Sequence, residues 1–317
     1  MHIIRFIKNW TLPIAMLTGV LSYFIYTGIP ALAPTKIYIA RFINILQPTL
    51  IFTMLFLTFC KVDPRELRFC RWHGWLLLIQ TGSFVLLAGL LKLFPDIPGQ
   101  VLIEGAMLCM ICPTATAAAV VTAKLGGNAA KLTTYTILAN LATALIIPII
   151  IPLIHPHPEF TFGMSLSLIL GKVFPLLFCP FLAALFVRHF FPRLHTYLVR
   201  CKDLAFYLWA VALAIAIGVT VRSIVHSDVS LFHQTGIAGV SLICCIIQFL
   251  SGKFIGRRYS DSISAGQALG QKNTVFAIWM GYTFMTPVTS VAGGFYSIWH
   301  NIYNSYQLYR KRKEEAN

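Results

Sequence analysis

Two short clusters of polar and helix-breaking residues interrupt otherwise apolar sequence. The first reads Cys112-Pro113-Thr114-Ala115-Thr116 and the second Gly270-Gln271-Lys272-Asn273-Thr274. Proline removes a helix hydrogen bond and glycine weakens a helix, so each cluster frees backbone groups that need a partner or a ligand in apolar surroundings. A half-helix restarting after each break would point its first N–H groups, with their partial positive charge, at the break, which is the chemistry of an anion site. Thr114, Thr116, Gln271, Asn273 and Thr274 add neutral donors and acceptors, and Thr136 and Asn140, one helical turn apart, could face the same space. A lone mid-helix proline or threonine is commonplace, the threonine bonding back to its own backbone; two breaks at corresponding places are not.

Lys272 is the sharpest single residue. An ammonium at membrane depth costs several kcal/mol unless paired or hydrated, which makes it a functional candidate, unless the span is shifted and the side chain snorkels to an interface. It could serve as a fixed cation or release a proton when the conformation changes. The acids matter by their absence. Asp63, Glu66, Asp96, Glu159, Asp203, Asp228, Glu314 and Glu315 fall in loops or tails, Asp261 at a span end, and Glu104 alone inside a span, near its outer end. No carboxylate is placed to coordinate a cation at mid-depth, and hydroxyls and carbonyls alone would hold sodium weakly. His155-Pro-His157-Pro could catch a metal but is more simply a proline-rich turn. The eight cysteines fall mostly in apolar runs at spacings that make no metal site, and no cofactor is implied.

The elements that must carry these clusters follow from composition. Of 317 residues, 57% are hydrophobic and 11% charged, and the mean hydropathy is +0.75, so the bilayer is the solvent. Apolar stretches predict spans at 10–26, 43–59, 75–94, 101–123, 132–153, 166–186, 204–221, 237–254, 262–284 and 288–303. The first is read as retained, since no cleavage pattern follows it. With the N-terminus inside, most lysines and arginines, from Arg5 and Lys8 to Arg310–Lys313, fall in inner segments, and only Lys36, Arg41, Lys92 and Arg222 in outer ones. The positive-inside rule therefore places both termini in the cytoplasm, and the net charge of +15 faces anionic lipid rather than nucleic acid. Ten spans divide into halves of five that enter from opposite sides, the geometry of an inverted repeat, and both breaks fall in the fourth span of their half.

With these features in view, the chain resembles the bile acid:sodium symporter family of secondary transporters. The resemblance rests on Cys112-Pro-Thr-Ala-Thr-Ala-Ala-Ala-Val-Val-Thr-Ala-Lys-Leu-Gly-Gly-Asn128 and Gly266-Gln-Ala-Leu-Gly-Gln-Lys-Asn-Thr-Val-Phe-Ala277, and runs over essentially the full length. It implies an all-α membrane protein of ten transmembrane helices in two inverted five-helix repeats, with two broken helices that cross. It further implies a panel domain (about 10–59 plus 166–221), a core domain (about 75–153 plus 237–308) and a substrate cavity between them. The chain departs from the family pattern at the sodium sites. Ala118 and Ala119 stand at the usual serine-asparagine pair, Ala268 at the usual glutamate and Lys272 at the glutamine before the asparagine, while Asn273 is kept. Thr136 and Asn140 fall where hydroxyl ligands are usual.

The expected function is therefore secondary transport of a small or amphipathic organic anion, carboxylate, bile-acid-like or sulfated, by alternating access. Sodium coupling is expected to be lost, with Lys272 as sodium substitute or proton-coupling group. The expected location is a bacterial inner membrane. The alternatives are a sodium-coupled symporter and a non-transporting ligand sensor on the same fold. A membrane-embedded enzyme would need acidic or histidine clusters that this sequence does not form.

Overall fold

The computed structural model describes residues 11–156, 159–201, 204–226 and 230–316. Trp10, where the first span was expected to begin, and Arg5, Lys8, His157, Lys202, Asp203 and Asp228 lie outside the described residues. The described chain is an all-α membrane protein. Its helices are α1 (Thr11–Gly28), α2 (Lys36–Cys60), α3 (Arg71–Leu93), α4 (Gln100–Ile111), α5 (Ala118–Lys124), α6 (Ala129–Ile154) and α7 (Phe162–Leu177). They continue as α8 (Cys179–Phe190), α9 (Pro192–Arg200), α10 (Leu204–Val225), α11 (Leu231–Arg257), α12 (Ser262–Gly270), α13 (Thr274–Phe284) and α14 (Pro287–Ala316).

Five of the described helices are long and apolar enough to cross a bilayer, and a sixth span results if α7 and α8, bent by 43°, are taken together. The remaining expected spans fall on α1, on α4 with α5, on α12 with α13, and on α14. A count of ten thus depends on joining half-helices across their breaks. The bend between α7 and α8 was not foreseen. Its cause is in the sequence: Pro175 and Pro180 bracket it, and each lacks the N–H that would have continued the helix ladder.

Both foreseen breaks are present. Cys112, the residue before Pro113, takes φ −51° and ψ 131°, the extended geometry that a following proline imposes, so α4 stops at Ile111. In the second break Gln271 is extended, and Asn273 restarts the helix by accepting the Phe276 N–H with its own side chain. A loop around Asn128 joins the first break region to the start of α12: the Asn128 N–H donates to Ser264 Oγ at 2.8 Å, and Lys131 pairs with Asp261 at 2.8 Å.

Packing sets α12 deep among α3, α5, α6 and α11, while α1 lies on α10 and α2 on α8 and α10. The α11–α12 contact is tight. A Cβ at Gly252 would lie 2.5 Å from Ala265 O and 2.9 Å from Gly266 Cα, both backbone atoms that cannot move aside cheaply. Gly252→Ala is therefore expected to destabilise the protein by about 1–3 kcal/mol, read by thermal unfolding in detergent. An unchanged unfolding temperature would show that these helices do not meet as described.

Candidate functional site

The two breaks cross and satisfy each other. The Asn273 N–H donates to Pro113 O and the Ala115 N–H to Gln271 O, each at 2.8 Å, forming one antiparallel bridge between Thr114 and Lys272. Backbone groups freed by proline and glycine thus find partners without water. Side chains complete the seal: Thr114 Oγ1 donates to Ala268 O at 2.7 Å, Tyr296 OH to Gly270 O at 2.8 Å, and Cys112 Sγ to Asn273 O at 3.3 Å.

The C-terminal carbonyls of α4, orphaned by the break, each receive a side-chain donor. Gln248 Nε2 reaches Cys109 O at 3.2 Å; Gln80 Nε2 and Thr143 Oγ1 each reach Ile111 O at 3.0 Å; and Lys272 Nζ reaches Met110 O at 3.3 Å. Lys272 is 1% exposed, and its second contact is Gln80 Oε1 at 3.4 Å. The Lys272 nitrogen therefore sits at the negative end of a helix dipole, an arrangement that favours its charged form against the cost of burial. Gln80 is the hub: it gives its amide N–H groups to Ile111 O and Thr143, and its oxygen takes Tyr135 OH at 2.9 Å as well as Lys272.

The other residues singled out in the sequence divide. Gln271 and Asn273 are buried with Oε1 and Nδ2, respectively, unpartnered, and Asn140 is buried with both amide atoms unpartnered. Such atoms are free to meet a ligand. Thr136, by contrast, donates to Leu132 O of its own helix at 3.1 Å, and Thr116 is only half-buried. Thr274 is buried at the start of α13. Ala118 and Ala268 join an apolar cluster with Trp72, Leu76, Tyr135 and Leu269, and the neighbouring Ala119 packs against it. At the restarted helices, the Asn273 side chain already takes the Phe276 N–H of α13, and α5 runs for only seven residues.

Glu104 lies one turn into α4, well away from the break. It accepts from Thr289 Oγ1 at 2.7 Å and Gln100 Nε2 at 3.0 Å, and His155 stands 3.3 Å away. His155 is thus engaged with a carboxylate, while its expected metal partner His157 lies outside the described residues.

Gln80, Tyr135, Thr143, Gln248 and Tyr296 were not anticipated. For the two glutamines the signal was available, since an amide in the middle of an apolar span must find a partner there. The tyrosines and Thr143 carried none, because an apolar body with one hydroxyl fits any span.

Broken helices that meet at membrane depth, with their freed backbone groups satisfied by protein, are a known feature of membrane transporters. The family model described as the Sodium Bile acid symporter family matches residues 47–227, more than half of the chain, and the chain belongs to that family. The matched part holds the first break, Ala118, Ala119, Thr136 and Asn140, and ends before Lys272. A curated relative, an uncharacterized sodium-dependent transporter YocS of Bacillus subtilis (strain 168), is 23% identical over 219 residues. That alignment covers 66% of this chain and 64% of the relative, so the chain spans just under two thirds of its length.

Proposed function

We propose that the chain is a secondary transporter of a small or amphipathic organic anion that works by alternating access without sodium. The observation that carries this reading is the Lys272 ammonium, buried at the end of α4 against Met110 O and Gln80 Oε1 with no carboxylate partner among the described residues. A fixed charge there takes the electrostatic role of a bound cation, and its uncompensated positive field favours an anion that reaches the crossing when core and panel move apart. Apolar packing of Ala118 and Ala268 supports the same reading, because neither side chain can ligate an ion.

In this reading ten spans form the inverted repeat, both termini lie in the cytoplasm of a bacterial inner membrane, and a core moves against a panel. The core comprises α3–α6 and α11–α14, and the panel α1, α2, α7, α8 and α10. Gln271, Asn273 and Asn140 supply neutral hydrogen bonds to the substrate, and Lys272 is either a fixed cation or the group that exchanges a proton.

One observation favours a second reading, sodium-coupled symport: the relative's printed name describes it as sodium-dependent. Counterflow of labelled anions in proteoliposomes, using a panel of carboxylates and sulfates, tests transport itself. Exchange of one of them above the rate in empty vesicles is expected. Binding without exchange would favour a static sensor instead.

A further inference from the structure

A second polar feature lies away from the crossing. A cavity of about 520 Å³ is enclosed by α1, α2 and α10, with Tyr282 of α13 on one wall, and no residue of either break lines it. Its position follows from small residues. At Gly19 and Gly218 the helices α1 and α10 approach so closely that a Cβ on Gly19 would collide with Ala214 O. The lining residues then run from that contact along the last turns of α1 and α10 and the first turns of α2.

The mouth of the cavity is cationic. Lys36, the first residue of α2, and Arg222, in the last turn of α10, both line it and are exposed. No aspartate or glutamate lines it, and neither cation has a carboxylate partner among the described residues. The mouth is also held in shape. Tyr23 OH meets His226 Nδ1 at 3.2 Å, joining the ends of α1 and α10, and Tyr26 OH meets Thr35 Oγ1 at 2.8 Å, fixing the turn before Lys36.

The inner part presents a different group. Gln47 lines the cavity, is 3% exposed, and its Nε2 has no hydrogen-bond partner. A buried amide donor left unpaired is costly, so its presence beside a cavity points to an acceptor brought in by a ligand. It stands eleven residues after Lys36 on the same helix, about 16 Å along the axis. Between them the walls carry Ile39, Ile43, Ile215 and Val219, with Asn44 and Ser22 as polar members.

We propose that this cavity is a binding site for an elongated amphipathic anion. Its oxyanion head is held by Lys36 and Arg222, its apolar body lies along the isoleucines and valine, and a hydroxyl or carbonyl at the far end accepts from Gln47 Nε2. The site deepens the anion-transport reading by naming where the anion is first captured, and it rests on that reading for its purpose though not for its binding. In the orientation proposed above, the mouth faces outward.

The test is equilibrium binding to the full chain in phosphatidylcholine nanodiscs, with empty nanodiscs as blank. The probes are ω-hydroxydodecanoate, dodecanoate and the uncharged ω-hydroxydodecanamide. The parent is expected to bind ω-hydroxydodecanoate most tightly and the amide about tenfold more weakly, a factor that two solvent-facing cations can supply. Lys36→Gln with Arg222→Gln should erase that difference, and Gln47→Leu should erase the preference for the hydroxyl while dodecanoate still binds. Thermal unfolding checks that each variant is folded. Parent-like binding in the double variant, or no binding of any probe by the parent, overturns the proposal. Adding phosphatidylglycerol distinguishes the two sources of this chemistry: loss of probe binding shows that an anionic lipid headgroup takes the site, and unchanged binding shows that it selects a free anion. Counterflow failing while these binding differences hold would sink transport and leave the site. Counterflow succeeding with unchanged binding in the double variant would do the reverse.

Discussion

Lys272→Gln is expected to leave a folded protein whose anion flux falls at least about tenfold, equivalent to roughly 1.4 kcal/mol of lost interaction with the anion. Glutamine is one bond shorter than lysine and keeps an N–H to turn toward Met110 O, and removing a buried charge that has no partner carboxylate relieves desolvation rather than adding to it. Stability should therefore change little. Lys272→Glu reverses the sign. A carboxylate facing Met110 O and Gln80 Oε1, at the negative end of α4, should cost about 3–5 kcal/mol and deplete folded protein, provided it remains ionised. Uptake measures the first effect, and size-exclusion profiles and unfolding temperatures the second. A Lys272→Glu protein that is folded and active would mean that the sign of the charge at the crossing is immaterial.

Gln80→Leu should be nearly as damaging while touching neither break in sequence. Leucine is close in volume but removes an acceptor from Tyr135 OH and Lys272 Nζ, and a donor from Ile111 O and Thr143 Oγ1. Thr143 still reaches Ile111 O, so the groups left wanting are chiefly the tyrosine hydroxyl and the ammonium. With about 1–3 kcal/mol for each buried unsatisfied group, a loss near 3 kcal/mol or more is expected. Thermal unfolding in detergent checks it. Parent-like stability would show that Gln80 does not hold the crossing together.

Much of the centre was legible because the signals are local. A proline in an apolar run dictates an extended residue before it, and Cys112 has that geometry. Gly270 and the amides after it mark a helix end that an apolar neighbourhood would not otherwise produce. Lys272 announced itself by cost alone. What stayed hidden depends on other helices. Nothing near Thr136 in sequence says that its hydroxyl turns back to Leu132 O, and nothing near Lys272 names Gln80, separated from it by 192 positions. The bend at Phe178 was legible in principle from Pro175 and Pro180, but prolines are tolerated in membrane helices and an apolar run of that length reads as one span. The cationic cavity escaped notice because Lys36 and Arg222 sit on separate helices, where each looks like an ordinary residue at a span end.

The most direct measurement is the initial uptake rate, into proteoliposomes, of the anion that counterflow identifies, with sodium outside in one set and choline in its place in the other, at equal pH and clamped membrane potential. Equal rates are expected, because the Lys272 ammonium already supplies the positive charge at the crossing. A rate several-fold higher with sodium would contradict this and establish the sodium-coupled reading.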